Sequence, residues 1–159
     1  MLEDKIKDQK EALDLEGAHQ MHCGIAHTRW ATHGVPSEVN SHPHRSGEDN
    51  EFIVVHNGIL TNYKDVKVFL ENKGFVFESD TDTEVIAKLM KHLHETNPKA
   101  NFRELVEKTI MQLEGAFACC FKSKKFPGEC VGTRRGSPLL VGIKTESDLV
   151  SDSIPIQFR

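Results

Sequence analysis

The order of hydrophobic periods constrains this chain most. A short β-branched run at 51–56, with Ile53, Val54 and Val55, precedes three successive helical patterns. Tyr63, Val66, Phe69 and Leu70 make one apolar face, closed by Gly74. Val85, Ile86, Leu89, Met90 and Leu93 make a second, with Asp82 or Thr83 as the expected N-cap. Phe102, Leu105, Val106, Ile110 and Leu113 make a third, between Asn101 as cap and Gly115 as stop. Segments 116–122, 129–133, 138–143 and 148–151 then read as strands, separated by Pro127-Gly128 and Gly136. Strands, then helices, then strands predict an α+β fold, an antiparallel sheet covered by helices, rather than alternating βαβ units.

Ahead of this block the patterning is weaker. Residues 1–20 are charged and read as a frayed helix or connector, so the core is expected over 21–159. Residues 24–30 suit a strand. Residues 31–50 carry Gly34, Pro36, Pro43 and Gly47 and read as a long loop, the kind that often binds or covers a ligand.

Composition removes several function classes. A length of 159 residues allows one domain with a real core, at 38% hydrophobic and 28% charged residues. The net charge of -4 offers no electrostatic pull toward nucleic acid. No apolar stretch is long enough to span a bilayer, and the polar start from Met1 to Lys5 is no secretory signal, so a cytoplasmic protein is expected. Cys23, Cys119, Cys120 and Cys130 lack paired metal-ligand spacing and are expected as reduced, buried thiols. His42 and His44 flank Pro43, while His92 and His94 stand two apart on a helix and do not share a face, so no metal site is expected.

Four motifs carry polar chemistry. In His27-Thr28-Arg29-Trp30-Ala31-Thr32-His33-Gly34, Arg29 is suited to fork onto a carboxylate, with Thr32 and His33 as added donors and Trp30 as a wall or gate. The plain structural reading is a strand end with a surface arginine. His56-Asn57-Gly58 offers an amide side chain and a backbone N–H side by side, a donor pair for a developing oxyanion, or else a strand-ending turn. Ser79-Asp80-Thr81-Asp82-Thr83-Glu84 offers a carboxylate for an amino group, or else helix capping. Gly132-Thr133-Arg134-Arg135-Gly136-Ser137 offers arginines for a phosphate or a partner domain, or else a tight turn.

Taken in order, GIAHTRWATHG, NSHPH, VVHNGIL, SDTDTEV, LEGAFA and GTRRGSPLL resemble the glutaminase domain of the isomerising glutamine–fructose-6-phosphate aminotransferases, from about Gly24 onward. The resemblance implies a class II, N-terminal-nucleophile hydrolase fold, a four-layer α/β/β/α sandwich, incomplete here at its N-terminus. It implies glutamine hydrolysis with no metal and no organic cofactor. Ammonia would pass to a fructose 6-phosphate site in a sugar-isomerase region outside this chain, and the intact protein would be a homo-oligomer. Matched by position, Arg29 would bind the glutamine α-carboxylate with Thr32 and His33 nearby, and Asp82 the α-amino group. Asn57 and Gly58 would form the oxyanion hole, and Trp30 would gate ammonia.

One departure bears on activity. The family's nucleophile is an N-terminal cysteine whose own amine is the base. This chain begins Met1-Leu2 and has no counterpart before Gly24, and the nitrogen of Cys23 lies in a peptide bond. The expectation is therefore a partial domain, inactive and poorly stable alone. Two alternatives stand beside it: a non-catalytic glutamine-binding or regulatory module, and a class II amidotransferase serving another acceptor.

Overall fold

The computed structural model describes residues 23–29, 31 and 34–142. Seven elements follow in order: β1 (His44–Arg45), β2 (Phe52–Leu60), α1 (Tyr63–Glu71), α2 (Thr83–Thr96), α3 (Phe102–Met111), β3 (Gly115–Ser123) and β4 (Val131–Arg135). The strands form one antiparallel sheet in the order β1-β2-β3-β4. An α+β architecture with an antiparallel sheet is therefore what the residues build, as the sequence order predicts.

Alternation along the two long strands sorts their side chains onto two faces. Phe52, Val54 and Leu60 of β2 and Phe117, Cys119 and Phe121 of β3 join Leu70, Ile86, Met90, Phe102 and Leu105 of the helices in one buried cluster. The helices thus cover one face. The other face carries Ile53, Asn57 and Ile59, and Ile59 remains 47% exposed.

The helix ends follow local chemistry. Asn101 and Glu104 form a reciprocal capping box on α3. Gly74, at φ 89°, ends α1, where Phe75 N–H donates to Leu70 O. Asp82 occupies the N-cap of α2, but its side chain makes no capping bond.

Five expectations are corrected. Asn57-Gly58 does not end the first strand. β2 runs on to Leu60, with Asn57 opposite Ala118 and Gly58 opposite Phe117. The strand can pass because Gly58 has φ 140° and no side chain; a Cβ there would run into the Ala116 carbonyl and lie 2.7 Å from Phe117 Cα. Gly115 begins β3 rather than stopping a helix. Residues 24–29 and 138–142 form no strand, since they find no ladder partner among the described residues. The remaining stretch, 148–151, lies outside the described residues. Of the cysteines, only Cys119 is buried; Cys23 and Cys130 are exposed and Cys120 is intermediate.

A buried carboxylate fixes the start of α2. Glu84 accepts from the Glu78 N–H (2.9 Å), the Ser79 N–H (2.7 Å) and the Ser79 hydroxyl (2.6 Å). Lys88, one turn on and equally buried, lies 3.1 Å away. Burial opposes the charge of Glu84. The Ser79 hydroxyl, the two amides and Lys88 outweigh it and hold the carboxyl below its usual range. Replacing Glu84 by Ala strands the Lys88 ammonium and two amides. We expect a loss of about 3–5 kcal/mol in urea unfolding, of the order seen when one partner of a buried pair is removed. A loss below about 1 kcal/mol, the size of a surface ion pair, would contradict the anchor.

Candidate functional site

Beyond this anchor, residues 81–83 project into a cavity of about 390 Å³. Three parts of the chain meet there. β2 supplies His56, Asn57, Gly58 and Ile59; the turn into α2 supplies Thr81, Asp82 and Thr83; the irregular segments before β1 supply His27, Arg29 and His42.

Asp82 is 3% exposed, and its Oδ2 accepts from the Leu60 N–H (3.0 Å). That bond locates one edge of β2. Amides two residues apart on a strand point to the same side. The Gly58 N–H is therefore directed to the edge that Leu60 uses, away from β3. β1 covers this edge only opposite Ile53 and Val54, so the Gly58 N–H lies past its end. The Asn57 side chain, exposed beside it, completes a pair of donors at the cavity wall.

Arg29 is positioned by a carbonyl-lined loop. Its guanidinium donates to Gly34 O (3.1 Å) and Val35 O (3.4 Å). Asn40, buried, donates to the same Val35 O (3.0 Å) and accepts from the Asp80 N–H (3.0 Å). The loop is thus latched to the turn before α2. Gly34 permits the latch, since a Cβ there would sit 2.6 Å from Asn40 Nδ2.

A set of imidazoles meets at Thr83. Its hydroxyl is 3.1 Å from His42 Nε2 and 2.8 Å from His56 Nδ1. His42 Nδ1 in turn faces His27 Nδ1 at 3.0 Å. One assignment of hydrogens satisfies all these contacts with neutral rings. His27 Nδ1–H donates to His42, His42 Nε2–H and His56 Nδ1–H donate to Thr83, and Thr83 O–H turns toward Asp82 Oδ1 at 3.4 Å. His44 Nε2 lies 2.9 Å from the Thr81 hydroxyl. Electrostatics agree with neutrality. Burial, then His44, His27, His56 and Arg29, push His42 down to about 3. Burial, reinforced by Arg29 and opposed by Glu84 and Asp82, pushes His44 down to about 4.

Of the residues singled out in the sequence, Arg29, Asn57, Gly58 and Asp82 line this one cavity. Trp30, Thr32 and His33 lie outside the described residues. The arginine motif goes elsewhere: Arg135 donates to Leu113 O (2.6 Å) and Ile110 O (3.2 Å) at the C-terminal end of α3 and stacks over Phe117, a structural task. His27, His42, His56, Thr81 and Thr83 are site residues that sequence reasoning missed. Their signal was present, since His42 and His56 stand inside the quoted motifs, but spacing alone does not reveal that rings 14 residues apart converge on one hydroxyl.

The neutral rings make stability depend on pH. The folded-state values of His42 and His44 fall below the ordinary 6.5, so between these limits the unfolded chain binds more protons. Their contribution is full above pH 6.5 and is lost as pH falls toward 4. We expect the thermal midpoint to drop between pH 7 and pH 5, and His44→Gln to shrink that drop. A midpoint that is flat or rises on acidification would contradict neutral rings.

Comparison with known proteins follows the same residues. The model of a glutamine amidotransferase domain family matches residues 27–134. The rat glutamine–fructose-6-phosphate aminotransferase [isomerizing] 1 is 58% identical, over 99% of this chain and 23% of that protein. The human glutamine–fructose-6-phosphate aminotransferase [isomerizing] 2 is 57% identical, over 95% of this chain and 22% of that protein. The chain thus spans less than a quarter of the length of these relatives. A solved structure described as the allosteric regulatory enzyme of purine biosynthesis is 30% identical, with a TM-score of 0.50 over 62% of this chain and 21% of its own. With the family model spanning most of its length and the cavity built from the matched segment, this chain belongs to the glutamine amidotransferase domain family.

Proposed function

We propose that this chain is the glutamine-binding part of the glutaminase domain of an isomerising glutamine–fructose-6-phosphate aminotransferase. That domain releases ammonia for glucosamine 6-phosphate formation, on the way to UDP-N-acetylglucosamine. The observation that carries this reading is the convergence of Arg29, Asn57, Gly58 and Asp82 on one cavity. The chain around them is 58% identical to the rat enzyme.

The chemistry suits a small zwitterion with a side-chain amide. Arg29, held by two carbonyls, takes the α-carboxylate; the same reading assigns Thr32 and His33 to substrate binding and Trp30 to ammonia gating. Asp82 takes the α-amino group. Its Leu60 and Thr83 contacts leave acceptor positions unused, since a carboxylate has about four lone-pair sites. The neutrality of His42 and His44 matters here, because cationic rings would compete with the substrate ammonium for Asp82. The amide carbon is then presented to the Asn57 amide and the Gly58 N–H, which stabilise oxygen charge as the carbon becomes tetrahedral.

The nucleophile of this reaction class is a cysteine whose own α-amine is the base. Cys119 is buried, with its thiol pushed above its usual range by burial, and the Cys23 nitrogen is in a peptide bond. The attacking group is therefore not among the described cysteines. In the same reading, residues 21–159 are part of the domain, preceded by a connector at 1–20. The sheet and helices are half of a four-layer α/β/β/α sandwich, and the face bearing Ile53 and Ile59 is where a second sheet packs. Fructose 6-phosphate at a sugar-isomerase region is the acceptor, in a cytoplasmic homo-oligomer.

Titration calorimetry of the full chain with L-glutamine tests the reading. Arg29→Ala removes a charge-assisted pair and is expected to weaken binding at least about 10-fold. Asp82→Asn keeps an oxygen for Leu60 N–H while losing the charge, and is expected to do the same. Asn57→Ala acts mainly on the transition state and is expected to change affinity by less than about 3-fold. Equal affinity of the wild type and Arg29→Ala would discard the clamp.

A further inference from the structure

Three of the four cysteines lie together, outside the core and outside the cavity. Cys120 is on β3, and Cys130 directly precedes β4. The register sets Cys120 opposite Gly132 and Phe121 opposite Val131. Cys130 is therefore the diagonal neighbour of Cys120 on the same side of the ladder, a position from which side chains touch. Their Sγ atoms are 3.1 Å apart. The Cys23 carbonyl accepts from Lys122 Nζ (2.6 Å), and its thiol is near enough to raise that of Cys130, so an irregular segment brings a third thiol toward the pair. Cys119 points to the opposite, buried face and takes no part.

We propose that Cys120 and Cys130 are a site of oxidative modification, closed by a hydroperoxide into an intrachain disulfide. The pair stands about 1 Å beyond the roughly 2.0 Å of an S–S bond, on two strands whose register holds the partners in place. In the first step a lone pair of Cys120 Sγ attacks one peroxide oxygen. The O–O bond breaks, the other oxygen leaves with a proton, and Cys120 becomes a sulfenic acid. In the second step Cys130 Sγ attacks that sulfur, the S–O bond breaks, and hydroxide leaves with the Cys130 proton as water. For hydrogen peroxide the sum is two thiols and one peroxide giving one disulfide and two waters. The thiols lose two electrons and the peroxide gains them.

The roles follow from the surroundings. Partial burial, then the hydrogen bond to Cys120, push the Cys130 thiol up to about 12. Cys130 is thus the less ready of the pair to attack the oxidant, which leaves it the resolving role. Its exposure gives a small oxidant a path to the pair. The cross-link would join residues ten apart in sequence and fasten strand β4 to β3. This site does not depend on glutamine binding.

The full chain is treated with hydrogen peroxide under native conditions, alkylated with iodoacetamide in denaturant, digested and read by fragmentation mass spectrometry. The expected result is a linked Cys120–Cys130 peptide that dithiothreitol reverses, with Cys23 and Cys119 alkylated. Cys130→Ser is expected to lose the link and trap Cys120 as a dimedone-reactive sulfenic acid. Cys23→Ser is expected to keep the link. Alkylation of all four thiols, a link through Cys23, or a link between chains would each overturn the proposal.

Discussion

Everything in the site hangs from the Glu84 carboxylate. It gathers the amides of Glu78 and Ser79 and the Ser79 hydroxyl at the start of α2, and Lys88 balances its charge from within the core. An ionised carboxylate is tolerated in such a place only when its lone pairs are matched by donors, as they are here. The turn that results is stiff. Its next residues, Thr81, Asp82 and Thr83, are delivered to the cavity with little freedom of their own, and α2 is free to use its apolar face for packing against β2 and α3.

From that fixed turn, hydrogen bonds reach out to the other two parts of the site. Asp82 reaches the Leu60 N–H and so sets the edge of β2 that points into the cavity. The Asp80 N–H reaches Asn40 and so latches the loop that holds Arg29. Thr83 collects His42 and His56, and His42 collects His27. A cation and an anion are thereby held on separate supports around neutral imidazoles. Such an arrangement favours a zwitterion over a simple anion or cation, because each charged end finds an opposite partner without added charge between them.

Much of this was legible in the sequence. The three helices, the Asn101 cap and the long strands follow from period and capping chemistry, which act locally. Arg29, Asn57, Gly58 and Asp82 stand out in the sequence as residue types suited to holding a small polar ligand, and one cavity unites them. Other features depended on partners far along the chain. Asn-Gly is a strong turn signal, yet β3 pairs along the whole of β2 and overrides it, with Gly58 serving close approach of backbones instead. Residues 24–29 have strand-like composition but find no strand to pair with among the described residues. Cys120 reads as core because it shares one apolar run with Cys119. Alternation along β3 buries only Cys119 of the two.

The central claim is that one small molecule is held at both charged ends, by Arg29 and Asp82. Calorimetry with truncated analogues addresses it without altering the protein. Glutaramic acid lacks the α-amino group and 4-aminobutanamide lacks the α-carboxylate, while both keep the amide. The account predicts that each binds at least about 10-fold more weakly than L-glutamine, the cost of leaving a charged partner unmatched. Affinities equal to that of L-glutamine for both analogues would show that neither end is clamped and would contradict it.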